Sequence, residues 1–255
     1  MFKNVKHSFR ISDFPYLIGI PNESYHRDVL RISDFIFMNL ANDPLLFIVA
    51  LVILIYSAIL HEIAHGYVAD RLGDPTARLM GRLTLNPIPH IDPILSIALP
   101  LLLIISNSPV IFGGAKPVPV DIFNLRDGRK DMSLVALAGP ATNLLLALIA
   151  ALIAHLLGLN AFLLFAGGDL FARILGMIIS LNVLLAIFNL LPIPPLDGSK
   201  VFSLILPERQ ANSYLALGSF GMIILVFLLL VPLGPFSLQD FIAAIYTTVL
   251  TLLGF

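Results

Sequence analysis

The sequence contains no cysteine. A disulfide framework and a thiolate metal site are both excluded, so any transition-metal centre has to be built from His, Asp or Glu. Charge is also scarce. Asp, Glu, Lys and Arg make up 12% of the chain, against about 25% in a soluble domain. What charge there is nearly cancels, with a formal net of −1. No basic cluster is present, which removes nucleic acid from the expected partners. The opening residues, MFKNVKHSFRISDFPYLIG, lack the apolar core of a secretory signal.

What fills the space is apolar. Of the 255 residues, 58% are hydrophobic and the mean hydropathy is +0.95. Runs near 44–66, 133–157, 170–191, 213–231 and 239–254 approach the length needed to cross a bilayer. A shorter run, ILSIALPLLLIIS at 94–106, contains Pro100 and falls in the class of re-entrant or interfacial segments. The expected fold is therefore an all-α polytopic membrane protein with about five full spans plus that short or re-entrant segment. Residues 1–43 read as an extramembrane or interfacial arm, and 44–255 as a membrane-embedded domain. The pentapeptide RISDF occurs twice in the arm, at Arg10–Phe14 and Arg31–Phe35, too few copies for a stacked repeat. The polar stretch 67–132 is rich in Gly and Pro and favours turns and short strands. A small β-ribbon pairing Arg82–Leu85 with Pro117–Val120 is expected there.

The chemistry sits at the end of the first run, in AILHEIAHGY. Ionisable groups at membrane depth are costly and face a protein interior or a water-filled cavity. His61, Glu62 and His65 form H-E-x-x-H. On a helix, positions i and i+4 share one face, so both imidazoles can address one ion with Glu62 beside them as a general base. A catalytic zinc needs a third protein ligand and an open position for water. One carboxylate candidate is Asp197, presented after a second apolar run by the stiff turn Pro192-Ile193-Pro194-Pro195. In isolation that segment reads first as an ordinary helix-ending Asp-Gly turn. A third feature is AGPATNLLLAL at 138–148, in which Gly139 and Pro140 are read as opening an apolar helix. Asn143 there is either polar glue between packed helices or an amide near the ion that holds substrate or a developing oxyanion. His90, in NPIPHIDP, reads as a channel-lining residue or, more blandly, as a loop hydrogen-bonding group.

Taken together, HEIAH at 61–65, NLLPIPPLDG at 189–198 and AGPATN at 138–143 resemble the site-2 protease family of intramembrane zinc metalloproteases. GRLTLNPIPHIDP at 81–93 with AKPVPV at 115–120 resembles its compact prokaryotic branch, which has no PDZ domain. The resemblance implies one Zn²⁺ per chain held by His61, His65 and Asp197, with Glu62 as base. It also implies cleavage of the transmembrane segments of membrane-protein substrates inside the bilayer, by attack of a zinc-bound water. If His65 and Asp197 share an ion, their helices end at one depth. Residues 66–132 then leave and return on a single side. That side carries Arg71, Arg78, Arg82, Lys116, Arg126, Arg129 and Lys130. By the positive-inside rule it is cytoplasmic, and the expected location is the cell membrane with the site opening to the cytoplasm. Two rival classes use the same residues: a metal-ion transporter and a non-catalytic scaffold that binds membrane helices.

Overall fold

The structure is a computed structural model that describes residues 43–93, Ala98, 115–234 and 236–255. The arm up to residue 42 and all of segment 94–106 except Ala98 lie outside the described residues, and with them the expectation that this segment is re-entrant.

Helix α1, Pro44–Leu72, has clean signals at both ends. The Asp43 carboxylate accepts from the backbone N–H groups of Leu45 and Leu46, and Pro44 occupies the first turn, where a missing donor costs nothing. At the far end Gly73 turns left-handed at φ 116°, and its N–H and that of Asp74 close the last carbonyls. Helix α2, Thr76–Leu79, is a single turn. Helix α3, Gly128–Leu156, and helix α4, Leu170–Asn189, are the other two long apolar helices. Short helix α5, Asp197–Phe202, follows the proline turn, and α6, Glu208–Ala216, α7, Gly218–Leu230, and α8, Leu238–Leu252, complete the described chain.

The packing inverts what a soluble bundle shows. Small and polar residues point inward: Ala147, Ala150, Ala151 and Ala154 of α3 meet Leu175, Ile179 and Val183 of α4. Large apolar side chains point outward, with Leu145, Leu148 and Leu152 of α3 and Phe47, Ile48, Leu51 and Val52 of α1 exposed. Small residues let helices approach closely where lipid, rather than water, is the solvent. α3 is the central element, packed against both α1 and α4.

Three expectations need adjustment. Among the described residues three helices are long and apolar enough to cross a membrane, or four if α6 and α7, bent by 73° at their junction, count as one span. The fifth candidate, α8, has 15 residues, about 22 Å of helix, which falls short of an apolar core of about 30 Å. Secondly, no strand forms at 82–85 or 117–120. Pro117 and Pro119 have no N–H to give to a ladder, and the Arg82 guanidinium occupies the carbonyls of Lys116 and Pro117 instead. Thirdly, Gly139 and Pro140 do not open a helix but lie inside α3, which begins a full three turns earlier.

Candidate metal centre

His61 and His65 project from the same face of α1, as their spacing requires, and both are buried. The proline turn after α4 folds back so that Asp197, the first residue of α5, meets them. Its tight path needs Gly198, where a Cβ would fall 2.1 Å from the Leu190 carbonyl oxygen. His61 Nε2, His65 Nε2 and Asp197 Oδ2 then form a near-equilateral triangle with sides of 2.9, 3.1 and 3.2 Å. Among the described residues this is the one group of three or more His, Asp or Glu side chains positioned to hold an ion.

The other ring nitrogens decide what the triangle is. His65 Nδ1 lies 2.7 Å from the Val135 carbonyl. A carbonyl can only accept, so Nδ1 carries the proton. His61 Nδ1 lies 2.6 Å from Asn143 Oδ1, again an acceptor. In neutral imidazoles both Nε2 atoms therefore present lone pairs. In that state three buried acceptors would crowd within 3.2 Å of one another with no hydrogen between them to relieve the repulsion. A divalent cation at the centre resolves the conflict. Zinc held tetrahedrally with nitrogen and oxygen ligands at about 2.0–2.2 Å would set the edges at about 3.3–3.6 Å, a few tenths wider than observed. The donor set, two imidazoles and a carboxylate, suits that ion.

Backbone from α3 closes one side. A Cβ on Gly139 would lie 2.5 Å from His61 Nε2 and from His65 Nε2, inside the space the ligand atoms share. Only glycine leaves that space open. On the other side Lys200 Nζ donates to Asp197 Oδ1 at 2.9 Å, which leaves Oδ2 as the atom facing the histidines.

Glu62 stands next to the triangle and is not part of it. Its Oε2 accepts from the Val118 N–H at 2.7 Å. That donor is the single N–H in the Pro117-Val118-Pro119 triplet. Oε1 has no hydrogen bond among the described residues. The loop carrying Val118 is drawn close to α1 by Gly66, where a Cβ would meet Leu83, Ala77 and Val118 side chains at 2.7–2.9 Å. Asp74 anchors the same loop: it accepts from Thr76, Asn124 Nδ2 and the Asp121 N–H. Burial opposes ionisation of this carboxyl, but the hydrogen bonds from Thr76, Asn124 and Asp121 outweigh it and hold its pKa below the usual range.

The structure thus brings His61, Glu62, His65 and Asp197 together. Asn143 joins them through His61, with its amide engaged on both sides and fully buried. His90 is not in the group. It is buried, pairs through Nε2 with the Thr84 carbonyl, and offers its own carbonyl to Lys116. Sequence reasoning missed Val118, Val135, Lys200 and Asn182. Backbone groups of Val118 and Val135 leave no trace in a side-chain pattern. Lys200 had one, its i,i+3 spacing from Asp197 on a short helix.

The model of peptidase family M50 matches residues 47–231. The chain is 38% identical to "Putative zinc metalloprotease YwhC" of Bacillus subtilis over 195 residues, which cover 75% of this chain and 84% of that protein. It is 34% identical to "Putative zinc metalloprotease Rip2" of Mycolicibacterium smegmatis, over 69% of this chain and 64% of that one. The Mycobacterium tuberculosis H37Rv protein of the same name is 33% identical, over 74% and 68%. No solved structure matches.

Proposed function

The chain belongs to peptidase family M50, and on that premise we propose how its residues divide the work of an intramembrane zinc metalloendopeptidase. It is a zinc metalloprotease of the site-2 type and a membrane protein. His61, His65 and Asp197 hold the ion and Glu62 moves the proton. The observation that carries this assignment is the cluster of three buried ligand atoms, two imidazole nitrogens and a carboxylate oxygen, within 3.2 Å of one another.

Zinc held there supplies Lewis acidity, lowering the pKa of water to about 7 and polarising a carbonyl. The rest falls to the protein. Glu62, with Oε2 fixed by the Val118 N–H, has Oε1 available to take a proton from the attacking water. The same carboxyl then returns that proton to the leaving amine. Lys200 and the Val135 carbonyl keep two of the three ligands turned toward the shared point. Asn143 already gives Oδ1 to His61 and one N–H to Asn182. The substrate-side role expected of it has a single N–H left to use.

Substrates in this reading are transmembrane segments of membrane proteins. A scissile carbonyl inside a helix is committed to the i→i−4 ladder, so the segment has to unwind before cleavage. Residues 44–255 form the membrane unit in this reading, built around the three long apolar helices α1, α3 and α4. The site opens to the cytoplasm at the cell membrane, the side that carries Arg71, Arg78, Arg126, Arg129 and Lys130.

Reconstitution with a membrane-peptide library tests the assignment. Glu62→Gln should retain zinc and lose at least about 100-fold in cleavage rate, and uncut membrane peptides should accumulate with it. Asp197→Ala should lose zinc as well. Cleavage that survives Glu62→Gln, or zinc content unchanged in Asp197→Ala, would overturn it.

A further inference from the structure

Behind His61 runs a string of buried polar side chains from three helices. His61 Nδ1 meets Asn143 Oδ1 at 2.6 Å, and Asn143 Nδ2 donates to Asn182 Oδ1 at 2.9 Å. Asn182 Nδ2 donates to Ser57 Oγ at 3.0 Å and to the Ile178 carbonyl at 2.9 Å. Asn143 and Asn182 are fully buried and Ser57 nearly so, so water cannot substitute for a lost partner.

Each amide has one accepting end and one donating end, which gives the string a direction. Ser57 does not set it, because a hydroxyl both donates and accepts. The Ile178 carbonyl does set it, because it can only accept. It holds the NH₂ end of Asn182 toward itself, so Oδ1 of Asn182 faces Asn143. That in turn holds the NH₂ end of Asn143 toward Asn182 and its Oδ1 toward His61. A proton on His61 Nδ1 is the outcome that satisfies every pair. We infer that the backbone carbonyl of Ile178, relayed through Asn182 and Asn143, sets the tautomer of His61 so that Nε2 faces the metal as a lone pair. This rests on the metal site proposed above. Asn182 and Asn143 are thereby positioning residues. His65 gets the same instruction directly from the Val135 carbonyl, whereas His61 gets it across two side chains. Groups that fix a ligating histidine in this way are typically worth about 10–100-fold in metal affinity.

Two measurements on the full chain in detergent test the relay. The first is ¹⁵N NMR of histidine-labelled, zinc-free protein, with the His61 signals identified by their loss in His61→Gln. Wild type should show His61 protonated at Nδ1. Asn143→Leu and Asn182→Leu should both show a mixture, and Ser57→Ala should match wild type. The second is zinc affinity in a chelator competition. Asn143→Leu should weaken it by about 10–100-fold and Asn182→Leu by about tenfold. Adding Asn182→Leu to Asn143→Leu should change it less than about twofold, because a broken relay cannot be broken again. Asn182→Ala makes the same cut without adding an apolar branch. An unchanged tautomer in Asn182→Leu and Asn182→Ala, or losses that multiply in the double variant, would overturn the relay. So would a tautomer altered by Ser57→Ala. A wild type that binds no zinc would overturn the metalloprotease assignment and leave the tautomer measurement to decide the relay alone.

Discussion

At the scale of single residues, the metal centre depends as much on an atom that is missing as on those present. Gly139 supplies no ligand, yet a methyl group on it would enter the space between the two Nε2 atoms. Gly139→Ala should therefore lower zinc affinity by more than about 100-fold, as severely as loss of a ligand, with helix content unchanged; isothermal titration against circular dichroism separates the two. The pairing of His61 and His65 was legible in the sequence because H-E-x-x-H encodes its geometry in its own spacing. Asp197 was less so: its turn was compatible with two readings, and the family resemblance decided between them. The part played by Gly139 was hidden, since the sequence alone suggested a helix start there. A proline after a glycine usually marks one in soluble proteins. Inside an apolar bundle neighbouring groups can satisfy a broken ladder, and α3 runs on through it.

At the scale of elements, the loop 115–125 is fastened to α1 at two points, and each gives a prediction. Gly66 lets the loop approach. Gly66→Ala would push Val118 outward and shift the N–H that holds Glu62. Cleavage should fall between about 10- and 100-fold, the usual cost of a misplaced catalytic group, with zinc content intact. Asp74 is the second fastening, beyond the end of α1. Its carboxyl is held below its ordinary pKa, so the stabilisation it gives is present above about pH 4. It is lost as pH falls through the lower value of the folded state. In Asp74→Asn one oxygen becomes a donor facing the donors of Asp121 or Asn124. The variant should be about 1–3 kcal/mol less stable at pH 7, and thermal unfolding should show the gap narrowing at pH 3. The long helices were legible from hydropathy. The expected β-ribbon was not formed, because the alternation that suggested it ignored what prolines take away from a ladder. The bent α6–α7 pair and the 15-residue α8 also show why counting apolar runs overstates spans: composition marks what lipid tolerates, not how far a helix reaches.

At the scale of the whole molecule, the proposed ligands join parts of the chain 136 positions apart. α1 brings the histidines, α5 brings Asp197, and α3 supplies the floor and the Val135 carbonyl. A bound ion that favours the folded form adds to its stability by mass action, about 2.7 kcal/mol at a hundredfold excess over Kd. Stripping zinc with a membrane-compatible chelator should lower the unfolding temperature of wild type. It should leave His61→Gln, which lacks a ligand, almost unmoved. The three-acceptor triangle carries a last consequence. Once the cation is withdrawn, two imidazoles and a carboxylate stand side by side with nothing to mediate between them, and the first helix and the proline turn lose the tie that draws them to one point. The ion is then a rivet as well as a reagent: whatever removes it would unfasten two stretches of chain that nothing else in the socket holds together.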